Sequence, residues 1–148
     1  MRTSIASLAI LLITVPTVHA ASGDIFMVKT TTQAPEEIVK AIKNYAETMK
    51  WQYLGENKIK KGEVTLVKIC IPEVSRMIWP VGLRLSALLP CGNIGVYKTE
   101  KGTEISVLHP RYLNLLHPNP NLEQAGKLGA ELLTKMLDAV GSEASATR

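Results

Sequence analysis

The chain has 148 residues, with 17 Lys and Arg against 13 Asp and Glu and a formal net charge of +4. This length suits one domain whose core is large enough to fold without structural metals or several disulfides. The basic excess is small and its one cluster is Lys58, Lys60 and Lys61 beside a glycine turn, so we expect no nucleic-acid partner, which would require a broad basic face with base-reading side chains.

Residues 1–20 have the three parts of a secretory signal peptide. The amino terminus and Arg2 are positive, an apolar run from Ile5 to Val15 follows, and small or short residues lead up to Ala20. The apolar run is too short to cross a bilayer as a helix, which takes about 20 apolar residues. A buried amphipathic helix is the alternative, but the run has no polar face. We expect cleavage near Ala20 and a periplasmic or secreted protein, with no transmembrane segment in the mature chain.

The first half of the mature chain predicts the order strand, helix, strand, strand. An apolar, partly β-branched run predicts a strand over 24–29. Proline and two glutamates then mark a first helical turn, and apolar residues recur at helical spacing, which predicts a helix over 35–50. Two further extended segments, over 51–60 and 64–70, are separated by a glycine turn.

The second half predicts a short helix, a β-hairpin and a long final helix. The predicted ranges are 72–79 for the helix, 93–98 and 104–108 for the strands, a helical turn at 111–116, and 122–140 for the final helix. The leucine-rich stretch 81–89 is ambiguous between loop, helix and strand.

The order β-α-β-β-α-β-β-α places hairpins where parallel folds have crossover connections. It therefore favours an α+β class, with a mostly antiparallel sheet of about five strands packed by helices in two layers. We assign residues 21–141 to this single domain and residues 142–148 to a flexible tail.

The spacing of cysteines and prolines is the most specific pattern in the chain. A strand ends at Cys70 and a helix opens at Pro72, then Leu-Leu-Pro ends at Cys91 before the strand 94–97, and His109 precedes another proline. Over residues 24–140 this pattern resembles the domain of unknown function 302 family. The resemblance implies a small α+β fold and little chemistry. It also implies that the two cysteines stand at a strand-to-helix junction and at the start of a neighbouring strand.

Two positions differ from the pattern usual in that family. A polar residue, often asparagine, is usual after the first cysteine, where this chain has Ile71. Aspartate or asparagine is common where this chain has His109. A site built on those polar groups in relatives would be altered here.

Cys70 and Cys91 are the two cysteines of the chain, and they admit several interpretations. In an oxidising compartment they are candidates for a disulfide, which would stabilise the fold by about 3 kcal/mol in the chain-entropy model. They could also form a thiol pair that binds a soft metal or cycles its redox state, or be two buried apolar residues.

The remaining candidate residues give weaker signals. His109, His117 and Met77 could join the cysteines in a copper or zinc site, but the tight ligand spacing of known metal motifs is missing. Trp79 and Arg84 are candidates for a protein interface, because tryptophan and arginine are enriched there.

No nucleophile elbow or phosphate-binding loop occurs in the chain, and the sequence identifies no cofactor. It favours an exported binding or interaction domain over an enzyme, with a ligand site between Cys70, Cys91 and the 109–117 loop. Its partner would be a second copy or an envelope protein. The alternative is a thiol-dependent redox protein or enzyme that uses Cys70, with Cys91 as the resolving thiol and His109 as the base.

Overall fold

The computed structural model describes residues 25–88 and 93–142, which form five strands and four helices. The strands are β1 (Phe26–Thr31), β2 (Gln52–Ile59), β3 (Val64–Cys70), β4 (Ile94–Thr99) and β5 (Gly102–Leu108). The helices are α1 (Pro35–Thr48), α2 (Pro72–Ile78), α3 (Tyr112–Leu116) and α4 (Pro120–Gly141). The ambiguous stretch contains a 3-10 helix, Leu83–Leu88, and the β2–β3 connection contains another, Lys60–Gly62.

All five strands belong to one antiparallel sheet with the order β1-β5-β4-β3-β2. Helix α1 joins β1 to β2, so it carries the chain from one edge of the sheet to the other. The α+β class and the predicted order of strands and helices are confirmed.

The helices cover one face of the sheet and form the core with it. Alternate residues of β3 and β5 are buried, for example Val67 and Ile105, because successive side chains of a strand point to opposite faces. They pack with buried residues of α1 and α4 such as Ile42 and Met136. Full burial of one such side chain is worth about 1.5–3 kcal/mol. We call the sheet face opposite the helices the open face.

The N-termini of the helices follow the sequence signals. Pro35 is in the first turn of α1, and the Glu37 carboxylate accepts a hydrogen bond from the Ala34 backbone N–H at 2.9 Å. Helix α4 begins at Pro120, two residues earlier than predicted, because the Asn119 side chain caps it by accepting from the Asn121 N–H at 2.9 Å. Among the described residues, no helix combines the length and apolar character needed to cross a bilayer.

Two glycines bring α4 into close contact with the turn that follows β5. A Cβ atom on Gly126 would lie 3.2 Å from the Pro110 carbonyl oxygen, and one on Gly129 would lie 3.2 Å from the Pro110 Cβ. Both distances are shorter than ordinary van der Waals contact, so a side chain at either position would require the turn or the helix to shift. These contacts fix the position of residues 109–111 against α4.

Candidate functional site

Cys70 lies on the open face at the end of β3. Its neighbour Ile69 is buried under the helices, and the alternation of the strand turns Cys70 to the opposite side, where it is half-buried. Its thiol is free within the described part of the chain, and its cross-strand neighbour is Gln52 of β2. Cys91 lies outside the described residues, so the disulfide and the thiol pair stay predictions.

His109 lies at the same end of the sheet as Cys70 but on the side of the helices. Strands β3 and β5 run in the same direction, since each is antiparallel to β4. The His109 backbone N–H donates to the Ile25 carbonyl at 2.8 Å, which extends the β1–β5 ladder by one pair. Cys70 and His109 therefore share an end of the sheet but face different layers.

The ring of His109 is held in one tautomer. Its Nδ1 accepts a hydrogen bond from the Arg111 backbone N–H at 3.2 Å, so the neutral ring carries its proton on Nε2. Burial and the nearby Arg111 charge lower the pKa of His109. At neutral pH the ring is consequently an uncharged hydrogen-bond donor through Nε2.

His109 and Arg111 line two clefts at once. The edge cleft, of about 400 Å³, lies between β1 and α4, and its other lining residues are Phe26, Met27, Val28, Lys29, Thr134, Leu137 and Asp138. The helix cleft, of about 320 Å³, lies between α3 and α4, and its other lining residues are Asn114, Leu115, Glu123, Gly126, Lys127 and Ala130. Both volumes are at the lower end of the range for small-molecule sites.

Basic and acidic side chains meet in each cleft. In the edge cleft, Lys29 Nζ lies 2.9 Å from Asp138 Oδ1, and Arg111 adds a second cation. In the helix cleft, Lys127 Nζ lies 2.7 Å from Glu123 Oε1, and this contact lowers the pKa of Glu123. Among the described lining residues, each cleft thus has two cationic side chains and one carboxylate, beside the neutral His109.

The other residues of the predicted metal set lie on different helices. His117 is exposed at the end of α3, where its backbone N–H donates to the Leu113 carbonyl at 3.0 Å. Met77 is partly buried in α2 against the core. Within the described ranges, no three His, Cys, Asp or Glu side chains form a group that could hold a metal ion. A site that includes Cys91 stays a prediction.

The two predicted interface residues lie at the surface. Trp79 follows α2 with 39% of its area exposed. Arg84 is exposed in the 3-10 helix that follows, next to Leu83, which is 77% exposed. Their contact with a partner stays a prediction.

Arg111, Lys29 and Asp138 were not predicted as site residues. Arg111 stands two positions after His109, so its place in the sequence could have indicated that it lies beside that candidate residue. The Lys29–Asp138 pair joins residues 109 positions apart, so no local pattern could reveal it.

No family model and no curated protein matches the sequence. A solved structure does match the fold, with a TM-score of 0.70 over 78% of this chain and 98% of the other. It is the crystal structure of an uncharacterised conserved DUF302 protein from Bacillus stearothermophilus, 15% identical to this chain. The chain has a DUF302-like fold. The resemblance inferred from the cysteine and proline pattern is thereby confirmed for the fold, and the neighbour's description assigns no activity.

Proposed function

We propose that this DUF302-like chain is an exported binding domain that takes a small anionic ligand, a carboxylate or a phosphate, beside His109 and Arg111. The observation that carries the proposal is the position of these two side chains, which line both the edge cleft and the helix cleft. The sequence favoured a ligand site at the cysteines. The proposed site lies at the same end of the sheet, but on the side of the helices.

The chemistry of the two side chains suits an anion. A guanidinium presents several N–H donors in a planar fork that matches carboxylate and phosphate oxygens. The neutral His109 ring adds a fixed Nε2–H donor whose orientation is held by the Arg111 backbone. Because Pro110 packs directly on α4, the two donors are held by a rigid turn, which reduces the entropy lost on binding.

Export rests on the N-terminal pattern. Its test is the mass of the protein recovered from the periplasm or medium of a host that expresses the full sequence. We expect a chain that begins near residue 21. A chain of full length confined to the cytoplasm would contradict export without affecting the ligand site.

Ligand binding is tested by thermal melting with inorganic phosphate and with a series of mono- and dicarboxylates. A ligand at about a hundred times its Kd stabilises the native state by about 2.7 kcal/mol, which raises Tm by several degrees in a domain of this size. We expect saturable shifts with at least one of these anions.

Two pairs of matched variants locate the site. His109→Asn keeps an acceptor for the Arg111 N–H but removes the Nε2–H donor, and its control is His117→Asn, at an exposed histidine outside both clefts. Arg111→Gln has its control in Arg76→Gln, at an exposed position on α2. We expect only the first variant of each pair to abolish the shift. Equal effects within a pair would contradict the site.

A thiol-dependent redox function is the second candidate, because Cys70 is a free, half-buried thiol in the described chain. Alkylation of the native protein without reductant, followed by mass spectrometry, tests it. A Cys70 that is modified, and that forms a reversible disulfide with Cys91, would support this candidate. A Cys70 that resists alkylation before and after mild reduction would discard it.

A further inference from the structure

The outer edge of β1 presents backbone groups with which no other described strand pairs. The hydrogen bond from the His109 N–H to the Ile25 carbonyl fixes which residues of β1 bond to β5, since hydrogen-bonded pairs alternate along an antiparallel ladder. Met27 and Lys29 bond inward. The N–H and C=O groups of Phe26, Val28 and Thr30 therefore point outward, where no strand of the described chain pairs with them.

This edge has neither a bulge nor a proline, two of the features that normally keep edge strands apart. Exposed edges are usually protected by bulges, prolines or charges. The β1–β5 register is continuous over the whole strand, which contains no proline. The one charge of the strand, on Lys29, is turned to the helix side and paired with Asp138. Phe26 and Val28 instead expose 56% and 51% of their area.

The edge is complementary to itself under a two-fold axis. We infer that β1 pairs antiparallel with β1 of a second copy, with Val28 opposite Val28 and Phe26 opposite Thr30 of that copy. This register uses all three outward residues and makes about six hydrogen bonds, two for each bonded pair. It also places Lys29 opposite Met27, whereas a shift that put two Lys29 side chains face to face would oppose like charges.

A second copy fits this edge better than an unrelated peptide does. The same residues supply both sides of the contact, which is the property of a closed two-fold interface. The open faces of the two sheets lie on the same side, so Phe26 and Val28 of both copies form one apolar strip. The strand is short, so we expect an interface at the small, weak end of the range for proteins, and a dimer that dissociates on dilution.

The interface borders the proposed ligand site but does not depend on it. Four consecutive residues of β1 line the edge cleft, so the second copy would add a wall to that cleft. A dimer could form without any anion site, and the helix cleft could bind an anion in a monomer. An experiment can therefore contradict the dimer without contradicting the anion site, and the reverse.

Substitutions at Val28 test the interface. Val28→Pro removes an N–H that β5 does not use, at an edge position where proline is tolerated. Val28→Lys places a charge on the same spot, and Ile59→Lys is its matched control, at a residue of β2 that is 45% exposed. Melting curves establish that each variant is folded.

The measurement is the molar mass in sedimentation or light scattering over a roughly hundred-fold range of protein concentration. We expect the wild-type chain and Ile59→Lys to rise from one chain mass towards two, and both Val28 variants to stay at one. A wild-type chain that is monomeric throughout would overturn the inference. So would a dimer that both Val28 variants retain.

Single cysteines test the register. Val28→Cys would meet its own copy in a hydrogen-bonded pair, with Cα atoms about 5.5 Å apart, within the range of disulfides. Phe26→Cys would lie four residues from its own copy along the paired strand, too far for a bond. We expect a cross-linked dimer only with Val28→Cys, and not with the wild-type chain, which controls for Cys70 and Cys91. A dimer formed by Phe26→Cys instead would overturn the register.

Discussion

The two edges of the sheet differ in how they are protected. Strand β2 has an irregular register between Tyr53 and Gly55, and it carries Glu56 and Lys58. Strand β1 is regular and exposes Phe26 and Val28, and its single charge is paired within the domain. A bulge and charges hinder the addition of another strand at one edge, whereas the other edge has no bulge and its one charge is paired with Asp138. Of the two edges, β1 is therefore the one that suits the proposed pairing with a second copy.

The β2 edge is also tied to its own domain. The Tyr53 hydroxyl donates to Glu56 Oε2 at 2.7 Å, and the Lys43 ammonium of α1 lies 5.5 Å from the centre of the Tyr53 ring. These contacts hold the bulged strand against α1. On the helix side of β1, by contrast, the contact between Lys29 and Asp138 forms one wall of the edge cleft.

The largest effect is expected from a glycine that supports β1. Gly102 has φ +127°, and a Cβ atom there would lie 2.4 Å from the Thr31 carbonyl oxygen. Gly102→Ala should lower the free energy of unfolding by about 3 kcal/mol through strain and overpacking. Gly62, beside β2, has φ +93° but open space around its Cα.

Gly62→Ala is therefore the control. It should lower the free energy of unfolding by about 1 kcal/mol, because only the backbone conformation is strained. Denaturant unfolding of both variants measures the difference. Equal losses would show that the end of β1 does not pack as described.

An intermediate effect is expected at Tyr53. Burial, and the contact with Glu56, raise the pKa of Tyr53 from 10.0 to about 12. A raised pKa in the folded state means that this stabilisation is complete below pH 10 and is lost as the pH rises towards 12. Tyr53→Phe should lower stability at neutral pH by about 1 kcal/mol, the net value of one hydrogen bond, and should flatten the decline above pH 10.

Urea unfolding at a series of alkaline pH values tests the Tyr53 prediction. Tyr112→Phe, at a tyrosine outside the β2 edge, is the control. An unchanged decline in Tyr53→Phe would show that this hydroxyl does not fasten β2.

The smallest effect on stability is expected at the ion pair beside β1. The Lys29–Asp138 pair is partly exposed, and such pairs are worth at most about 1 kcal/mol. Asp138→Asn should lower the free energy of unfolding by less than about 1 kcal/mol. Because it leaves the Lys29 charge unpaired beside the β1 edge, it should also raise the Kd of the proposed dimer. Glu131→Gln breaks the exposed Lys135–Glu131 pair of the same helix and should leave the Kd unchanged. An equal change of Kd in both variants would contradict a role at the edge.

The architecture was predictable because each element has a local signal. Pro35 and Pro72 mark helix starts that the structure retains, and the hairpins followed from short connections. The orientation of β3 was not predictable, because both of its faces carry apolar residues, so the pattern alone could not show that Cys70 faces away from His109. The walls of the edge cleft come from β1 and α4, at opposite ends of the chain, and their contact is a tertiary property.

One titration tests whether the functional edge of this domain is the β1 edge with His109 and Arg111. Backbone amide NMR signals are followed as inorganic phosphate, and separately a dicarboxylate, is added at constant ionic strength. We expect saturable shifts at residues 26–29 and 109–111 with at least one of the anions, and none at 52–59. Shifts centred on 52–59, or no saturable shift with either anion, would contradict it.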